Sequence, residues 1–220
     1  MLLGLADYGK EIVMDKSSKP YFEAVASQWD RMRSGFFPDS LREVALNAAA
    51  VEVGRTAVDV GAGAGFIAQG LIERGLKVIA VDQSPAMLAE LQRRLPAVEC
   101  RTGEADRLPV EDVSVDYVFA NMYLHHVPDP ANALREMGRI LRPGGVLVLT
   151  DLDSHDHEFL REEQHDLWLG FDRRRIGEWL AAAGLSGVEV NCASSDCCAA
   201  SEKGSDQAAI SIFLARGVKV

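Results

Sequence analysis

The chain predicts an α/β fold in which a doubly wound, mostly parallel sheet is covered by helices. Three observations carry this. From Thr56 onward, apolar β-branched runs alternate with helical patterns, the signature of parallel strands joined by crossover helices. One such run, Val58-Asp59-Val60, ends in the alternating glycines Gly61, Gly63 and Gly65, and an amphipathic helical pattern follows at once. The next run, Val78-Ile79-Ala80-Val81, ends in an acid, Asp82, seventeen residues after Gly65.

The glycine turn organises the rest. Glycine is needed where the backbone takes a positive φ or approaches a ligand closely. Ile67, Ala68, Leu71 and Ile72 share one face of the helix that follows, and Gly75 stops it. That helix begins with free N–H groups and the positive end of its dipole aimed at the turn. Gly61, Ala62, Gly63 and Gly65 therefore suit the polar or anionic part of a nucleotide-like ligand. An acid closing the second strand is placed to accept hydrogen bonds from both hydroxyls of a ribose, which assigns Asp82 to the same ligand. The residues alone leave that ligand open. Gly63, Gly65 and Ala68 also fit the dinucleotide fingerprint G-x-G-x-x-A of nicotinamide oxidoreductases, and a glycine turn without any ligand is the bland alternative.

Composition narrows the partners. At 220 residues, 48% hydrophobic and 25% charged, the chain suits one soluble domain with a sizeable core. A formal net charge of −10 repels nucleic acid and anionic membranes, so neither is an expected partner. The run Arg173-Arg174-Arg175 reads as a solvated helix start. Asp7, Lys10 and Glu11 interrupt the first twenty residues, so no secretory leader is expected and a cytoplasmic location is. Four cysteines do not make a secreted disulfide framework.

In chain order, residues 1–19 read as an N-terminal arm, or a short helix with a linker, that packs on a partner subunit in a homodimer. Residues 20–52 read as a helical lid, and 53–220 as the ligand-binding domain. Tyr21, Val25, Trp29 and Met32 fall on one helix face at spacings of four, four and three. A second helix is expected over 39–51 with Asp39 as N-cap. These helices either pack as plain core or close over the glycine turn, bringing Tyr21 and Trp29 to the ligand. Strands are expected over 57–60, 76–81 and 98–101. Between the last two, a helix over 84–95 is capped by Ser84 and buries Met87, Leu88, Leu91 and Leu95. The polar turn 103–109 carries Glu104 and Asp106, which either meet a base or hydroxyl donor or are surface acids. A fourth strand over 115–120 leads into Asn121-Met122-Tyr123-Leu124-His125-His126. Asp129 and Pro130 open the next helix, Arg142-Pro143-Gly144-Gly145 makes a turn, and 146–150 is an apolar fifth strand. Another helical stretch is expected to about 169, then a helix capped by Asp172. Strands over 188–190 and 209–216 flank a loop of small residues, 193–207.

This order of parts resembles the class I S-adenosylmethionine (SAM)-dependent methyltransferases over about residues 20–217. Three segments carry the resemblance: Val58-Asp59-Val60-Gly61-Ala62-Gly63-Ala64-Gly65, Gly103-Glu104-Ala105-Asp106-Arg107-Leu108-Pro109, and Leu141-Arg142-Pro143-Gly144-Gly145. They resemble most the small-molecule branch related to ubiquinone and menaquinone methylation. The resemblance implies a Rossmann-like seven-stranded sheet with an antiparallel last strand, SAM as cofactor and S-adenosylhomocysteine as product. It places Gly61, Gly63 and Gly65, with Ala62 between them, against the methionine end, and Asp59 near its ammonium. It places Asp82 on the ribose, and Gln83 and Met87 beside the adenine. Glu104, where the family usually has Asp, faces the adenine amino group; the Ala105 N–H reaches a ring nitrogen; Asn121 presents its backbone near the sulfonium.

The acceptor is left to other residues. Methyl transfer from a sulfonium needs in-line positioning, and a base only where the acceptor loses a proton. His125 and His126 follow the fourth strand and are the candidates for that base, beside a purely structural role. Cys192, Cys197 and Cys198 lie within seven residues, a thiol set suited to a soft metal or metalloid such as arsenite, or merely redox-sensitive. His155, His157 and His165 near Asp151, Asp153 and Asp156 form a weaker metal candidate; the stretch otherwise reads as an exposed linker and helix start, or as lining of the acceptor pocket, since it follows the fifth strand. Phe159, Trp168 and Phe171 are expected in the acceptor wall or the core. Three functions compete: methylation of a small molecule, methylation of a metalloid or thiol at the cysteines, and a SAM-binding regulatory protein without turnover.

Overall fold

The computed structural model describes residues 18–220 apart from 202 and 205. The expected arm, save Ser18 and Lys19, lies outside the described residues. Seven strands form one sheet: β1 (Thr56–Val60), β2 (Lys77–Asp82), β3 (Glu99–Thr102), β4 (Val115–Asn121), β5 (Leu141–Leu152), β6 (Leu185–Ala200) and β7 (Gln207–Lys219). Their order is β3-β2-β1-β4-β5-β7-β6. The first five are parallel to one another, while β7 runs antiparallel to both β5 and β6. The chain thus moves outward from β1 to β3 and then returns to place β4 on the other side of β1. Between β1 and β4 the carboxyl ends open a crevice where ligands bind in such sheets.

Side chains alternate across the sheet, as the two-residue period of a strand requires. Ala57, Tyr117, Phe119 and Val148 join one core with the helices α3 (Ser40–Ala49) and α4 (Phe66–Glu73). Val58, Val60, Val118 and Leu147 join the other with α6 (Pro130–Ile140) and α8 (Arg173–Ala182). Three caps stand where the sequence places them. Ser84 accepts the Met87 N–H at the start of α5 (Pro85–Arg94), Asp129 accepts that of Asn132, and Asp172 that of Arg175. Among the described residues, no helix is long and apolar enough to cross a membrane.

Several expectations need correction. The aromatic stripe is not one helix: α1 (Lys19–Val25) and α2 (Trp29–Phe36) are separated by a 3₁₀ turn, Ala26–Gln28. That turn re-aims α2, so Trp29 packs edge-on against Phe22 at 5.1 Å. Asp39 makes no side-chain cap on α3 and pairs instead with Arg33 at 2.9 Å. Residues 142–145 do not leave the sheet; they bulge from β5 between Leu141, paired with Val115, and Val146, paired with Tyr117. The helix expected to about 169 is only α7 (Phe159–Glu163). Past it, the Leu167 and Trp168 N–H groups donate to the His125 carbonyl at 3.0 and 3.1 Å, so the backbone is satisfied without a helix. The loop expected over 193–207 is mostly sheet: β6 continues to Ala200 by pairing residues 196–200 with 207–211 of β7. Their small alternating side chains bury Cys197, Ala199, Ala208 and Ile210 on the covered side.

One contact decides a sign. In the middle of α6, a Cβ added at Gly138 would stand 2.5 Å from the Ala183 carbonyl. Helix propensity alone favours Gly138→Ala by about 1 kcal/mol, whereas overpacking against backbone costs about 1–3 kcal/mol. We expect urea unfolding of Gly138→Ala to show a net loss; a gain would mean that the α6–α8 contact is loose.

Candidate active site

The glycine turn folds as its sequence requires. Gly61 and Gly63 have φ of +67° and +51°. A Cβ on Gly61 would run into the Tyr123 ring, and one on Gly63 would lie 3.2 Å from the Trp29 indole nitrogen. The Gly61 N–H donates to the Val81 carbonyl at 2.8 Å, which ties the turn to β2. Asp59, buried in β1, accepts the Ala68 N–H of α4 at 2.9 Å. Burial, helped by the Asp82 charge and opposed by that hydrogen bond, pushes the Asp59 carboxyl up to about 7. Asp82 accepts the Gly63 and Ser84 N–H groups, both at 2.9 Å, and burial raises its pKa as well.

Above the turn lies a cavity of about 640 Å³. Asp59, Gly61, Ala62, Gly63, Asp82, Gln83, Met87 and Asn121 line it, as does Trp29 from the N-terminal helices. Gly65 does not: it opens α4 with its back against Leu91 and Leu95. Glu104 and Ala105 do not either. Glu104 is exposed in a bridge with Arg107, and Ala105 packs on the apolar cluster below. Arg33 enters from α2 with its side chain 8% exposed. Its Nη2 pairs with Asp39, its guanidinium lies 4.3 Å from the centre of the Phe66 ring, and its Nη1 is buried without a hydrogen-bond partner.

A second cavity, of about 470 Å³, shares Phe22, Trp29, Phe37, Met122 and His126 with the first. It adds Tyr21, Phe36, His125, Asp166 and Cys197. Met122 reaches both through a left-handed φ of +49°, strained for a side chain of its size, while its N–H is held by the Thr150 carbonyl at 2.8 Å.

The two histidines differ sharply. His125 Nδ1 donates to Asp151 at 2.6 Å, and the fully buried Asp151 also accepts the Leu124 and Leu152 N–H groups, each at 2.8 Å. Burial opposes charge on His125, but Asp151 and Asp166 outweigh it and raise the pKa to about 9. His126 is pushed well below the ordinary imidazole range by burial and by the neighbouring His125. Its Nδ1 lies 3.3 Å from the His165 carbonyl. A carbonyl only accepts, so Nδ1 carries the proton and Nε2 the lone pair. Asp166 stands 3.8 Å from both rings, and burial raises its carboxyl to about 6 against the pull of His125. One donor atom from each of His125, His126 and Asp166 lies within 4.8 Å of the others.

The cysteines do not form a site. Cys197 and Cys198 are adjacent in β6 and face opposite sides, one buried and one exposed, and Cys192 is exposed beyond the bulge. Burial pushes the Cys197 thiol up to about 12, which disfavours the thiolate that a soft metal needs. The other histidines are not gathered either: His155 packs beside His157, while His165 lies against Tyr21 at 4.9 Å. Phe159, Trp168 and Phe171 belong to the core rather than to the second cavity. Sequence reasoning missed Phe22, Arg33, Met122, Tyr123 and Asp166, and named Asp151 only as part of the stretch after the fifth strand, without its tie to His125. Asp151 was open to the reading used for Asp82, as an acid closing an apolar strand; Asp166 had no such signal.

Known proteins resemble the chain in sequence and in fold. Residues 58–149 match a family model described as a methyltransferase domain. A ubiquinone biosynthesis O-methyltransferase of Pseudomonas paraeruginosa is 31% identical over 200 residues, covering 80% of this chain and 86% of that protein. An uncharacterized methyltransferase of Mycobacterium bovis is 41% identical over 128 residues, 58% of this chain and 50% of that one. The chain therefore spans about half the length of that curated relative. In structure, it superimposes with a TM-score of 0.76 and 25% identity on the methyltransferase partner of the Haloferax volcanii Trm112 activator, covering 92% of this chain and 97% of that one.

The His125–Asp151 pair has a consequence for stability. The folded-state pKa of about 9 lies above the ordinary 6.5, so the pair's contribution is whole below pH 6.5 and is lost as pH rises through about 9. Denaturant unfolding at pH 7 and pH 9.5 should show the wild type losing roughly 2–3 kcal/mol, with a smaller loss in His125→Gln. Equal losses in the two proteins would remove the buried ion pair from the account.

Proposed function

The chain belongs to the class I SAM-dependent methyltransferases, and from that premise we propose that it methylates a small molecule whose acceptor atom loses a proton. One observation carries the proposal. The two cavities meet at His126, a neutral imidazole whose Nδ1–H is held by the His165 carbonyl and whose Nε2 is free to take a proton.

The first cavity fits the cofactor. Its floor is bare of Cβ at Gly61 and Gly63, Asp82 offers a half-buried carboxylate to hydroxyls, and Arg33 offers an unpaired buried N–H donor to a carboxylate. In this reading the backbone of 61–63 and Asp59 hold the methionine end, Asp82 holds the ribose, and Gln83 and Met87 flank the adenine. Bound SAM supplies a methyl already electrophilic on its sulfonium. The protein's task is then alignment, exclusion of water and proton removal. Residues 20–52 act as the lid: Phe22 and Trp29 close over both cavities and seat the acceptor between aromatic faces. Burial keeps His126 neutral, and His125, charged and pinned by Asp151, adds repulsion.

A panel of small phenols, alcohols and amines with methyl-labelled SAM tests this. We expect transfer to at least one compound, and His126→Gln to lower kcat by about 10²–10⁴ with the KM for SAM little changed. Because His126 titrates well below its usual range, the wild-type kcat should stay level as pH falls through about 6.5, where an unperturbed imidazole would be protonated. An unimpaired His126→Gln, or an acid limb at that pH, would assign the proton to another group.

A further inference from the structure

We infer that the acceptor is an amine, bound as the ammonium ion in the second cavity with Asp166 as its counter-charge and a compact aromatic or apolar body behind it. The inference rests on the methyltransferase reading and adds the acceptor's class.

The charges in the cavity do not close without it. Asp151 is matched: it takes the His125 Nδ1–H and two backbone N–H groups. Asp166 is not. Its side chain is 3% exposed and, among the described residues, no donor reaches it within hydrogen-bond distance; the two imidazoles stand 3.8 Å away. Arg161 is committed to the Glu158 carboxylate at 3.0 Å and the Leu167 carbonyl at 2.6 Å. With His126 neutral, the buried set is two carboxylates against one imidazolium, an excess of one negative charge. A buried carboxylate left without a hydrogen-bonded partner is costly, so the cavity favours a cation that donates N–H bonds. The wall supplies the rest. Tyr21, Phe22, Trp29, Phe36 and Phe37 line the same space, and aromatic faces attract cations where water is excluded.

The proton balance then follows. The ammonium R–NH₃⁺ gives one proton to His126 Nε2, leaving a lone pair on nitrogen. A nitrogen–carbon bond forms to the methyl as the carbon–sulfur bond breaks, and that bond's electron pair goes to sulfur, which becomes neutral. The products are S-adenosylhomocysteine and R–NH₂CH₃⁺, and the proton on His126 leaves to solvent. The total charge of +2 on the reacting cations is conserved as one methylated ammonium and one proton.

Calorimetry on the chain saturated with S-adenosylhomocysteine tests this by binding rather than turnover. The probes are phenethylamine and its neutral isostere 2-phenylethanol. We expect the amine to bind at least about tenfold more tightly, and Asp166→Asn to abolish that preference while its affinity for S-adenosylhomocysteine stays within about threefold, which also shows that the variant is folded. Equal affinity for the probes, no affinity for either, or a preference that survives Asp166→Asn overturns the amine assignment and leaves the methyltransferase reading standing. A divalent metal ion held at one per chain and lost in Asp166→Asn overturns it too, since the ion would then be the missing cation. Failure of the wild type to bind S-adenosylhomocysteine removes both readings.

Discussion

An ionised carboxyl buried without partners is expensive, so an acid at the carboxyl end of an inner strand dictates the backbone that follows it. Three acids impose this constraint here. Asp59 draws in the Ala68 N–H and fixes where α4 starts above the glycine turn. Asp82 draws in the Gly63 and Ser84 N–H groups and so holds that turn against the start of α5. Asp151 draws in the Leu124 and Leu152 N–H groups together with His125, which sets the segment after β4. Asp59 and Asp82 line the first cavity, and Asp151 fixes the segment that brings His125 and His126 to the second.

The proposed function divides two tasks between the cavities. The first, assigned to the cofactor, is built from backbone and carboxylates of the sheet together with N-terminal side chains. The second, assigned to the acceptor, is built from aromatic side chains of the N-terminal helices and from the segment between β5 and α8. His126, Phe22, Trp29, Phe37 and Met122 line both, so on this proposal a change in the position of the N-terminal helices alters both at once. Charge is divided in the same way. His125 holds a proton among carboxylates while His126, with its ring centre 4.1 Å away, is kept without one. Two adjacent residues of one type thus have opposite protonation states at neutral pH, because Asp151 and Asp166 hold the charge on one while burial and that charged neighbour keep the other neutral.

Much of this was legible before any coordinates. The glycine turn, the position of Asp82 at a strand end, the Ser84 and Asp172 caps and the alternation of strands with helices all follow from local rules of spacing and capping, and local rules survive tertiary packing; the antiparallel last strand came from the family resemblance. What was missed depends on long-range pairing. The stretch 193–200 is poor in large apolar residues and reads as a loop, yet β7 gives every residue from 196 to 200 a partner. The same pairing explains why Cys197 and Cys198, neighbours in sequence, face opposite sides. Arg33 and Asp166 sit among ordinary surface-type charges in the sequence, and only the fold buries them. Glu104 shows the converse: it matches a family position in sequence, yet in this structure it stands outside the cavity and exposed.

The central claim is that the glycine turn and Asp82 form a cofactor site, and calorimetric titration of S-adenosylhomocysteine into the wild type and Asp82→Ala tests it most directly. The account predicts stoichiometric binding to the wild type and a loss of at least about tenfold in the variant, the scale set by a charge-assisted hydrogen-bond pair. No binding to a folded wild type, or equal binding to both proteins, would contradict it.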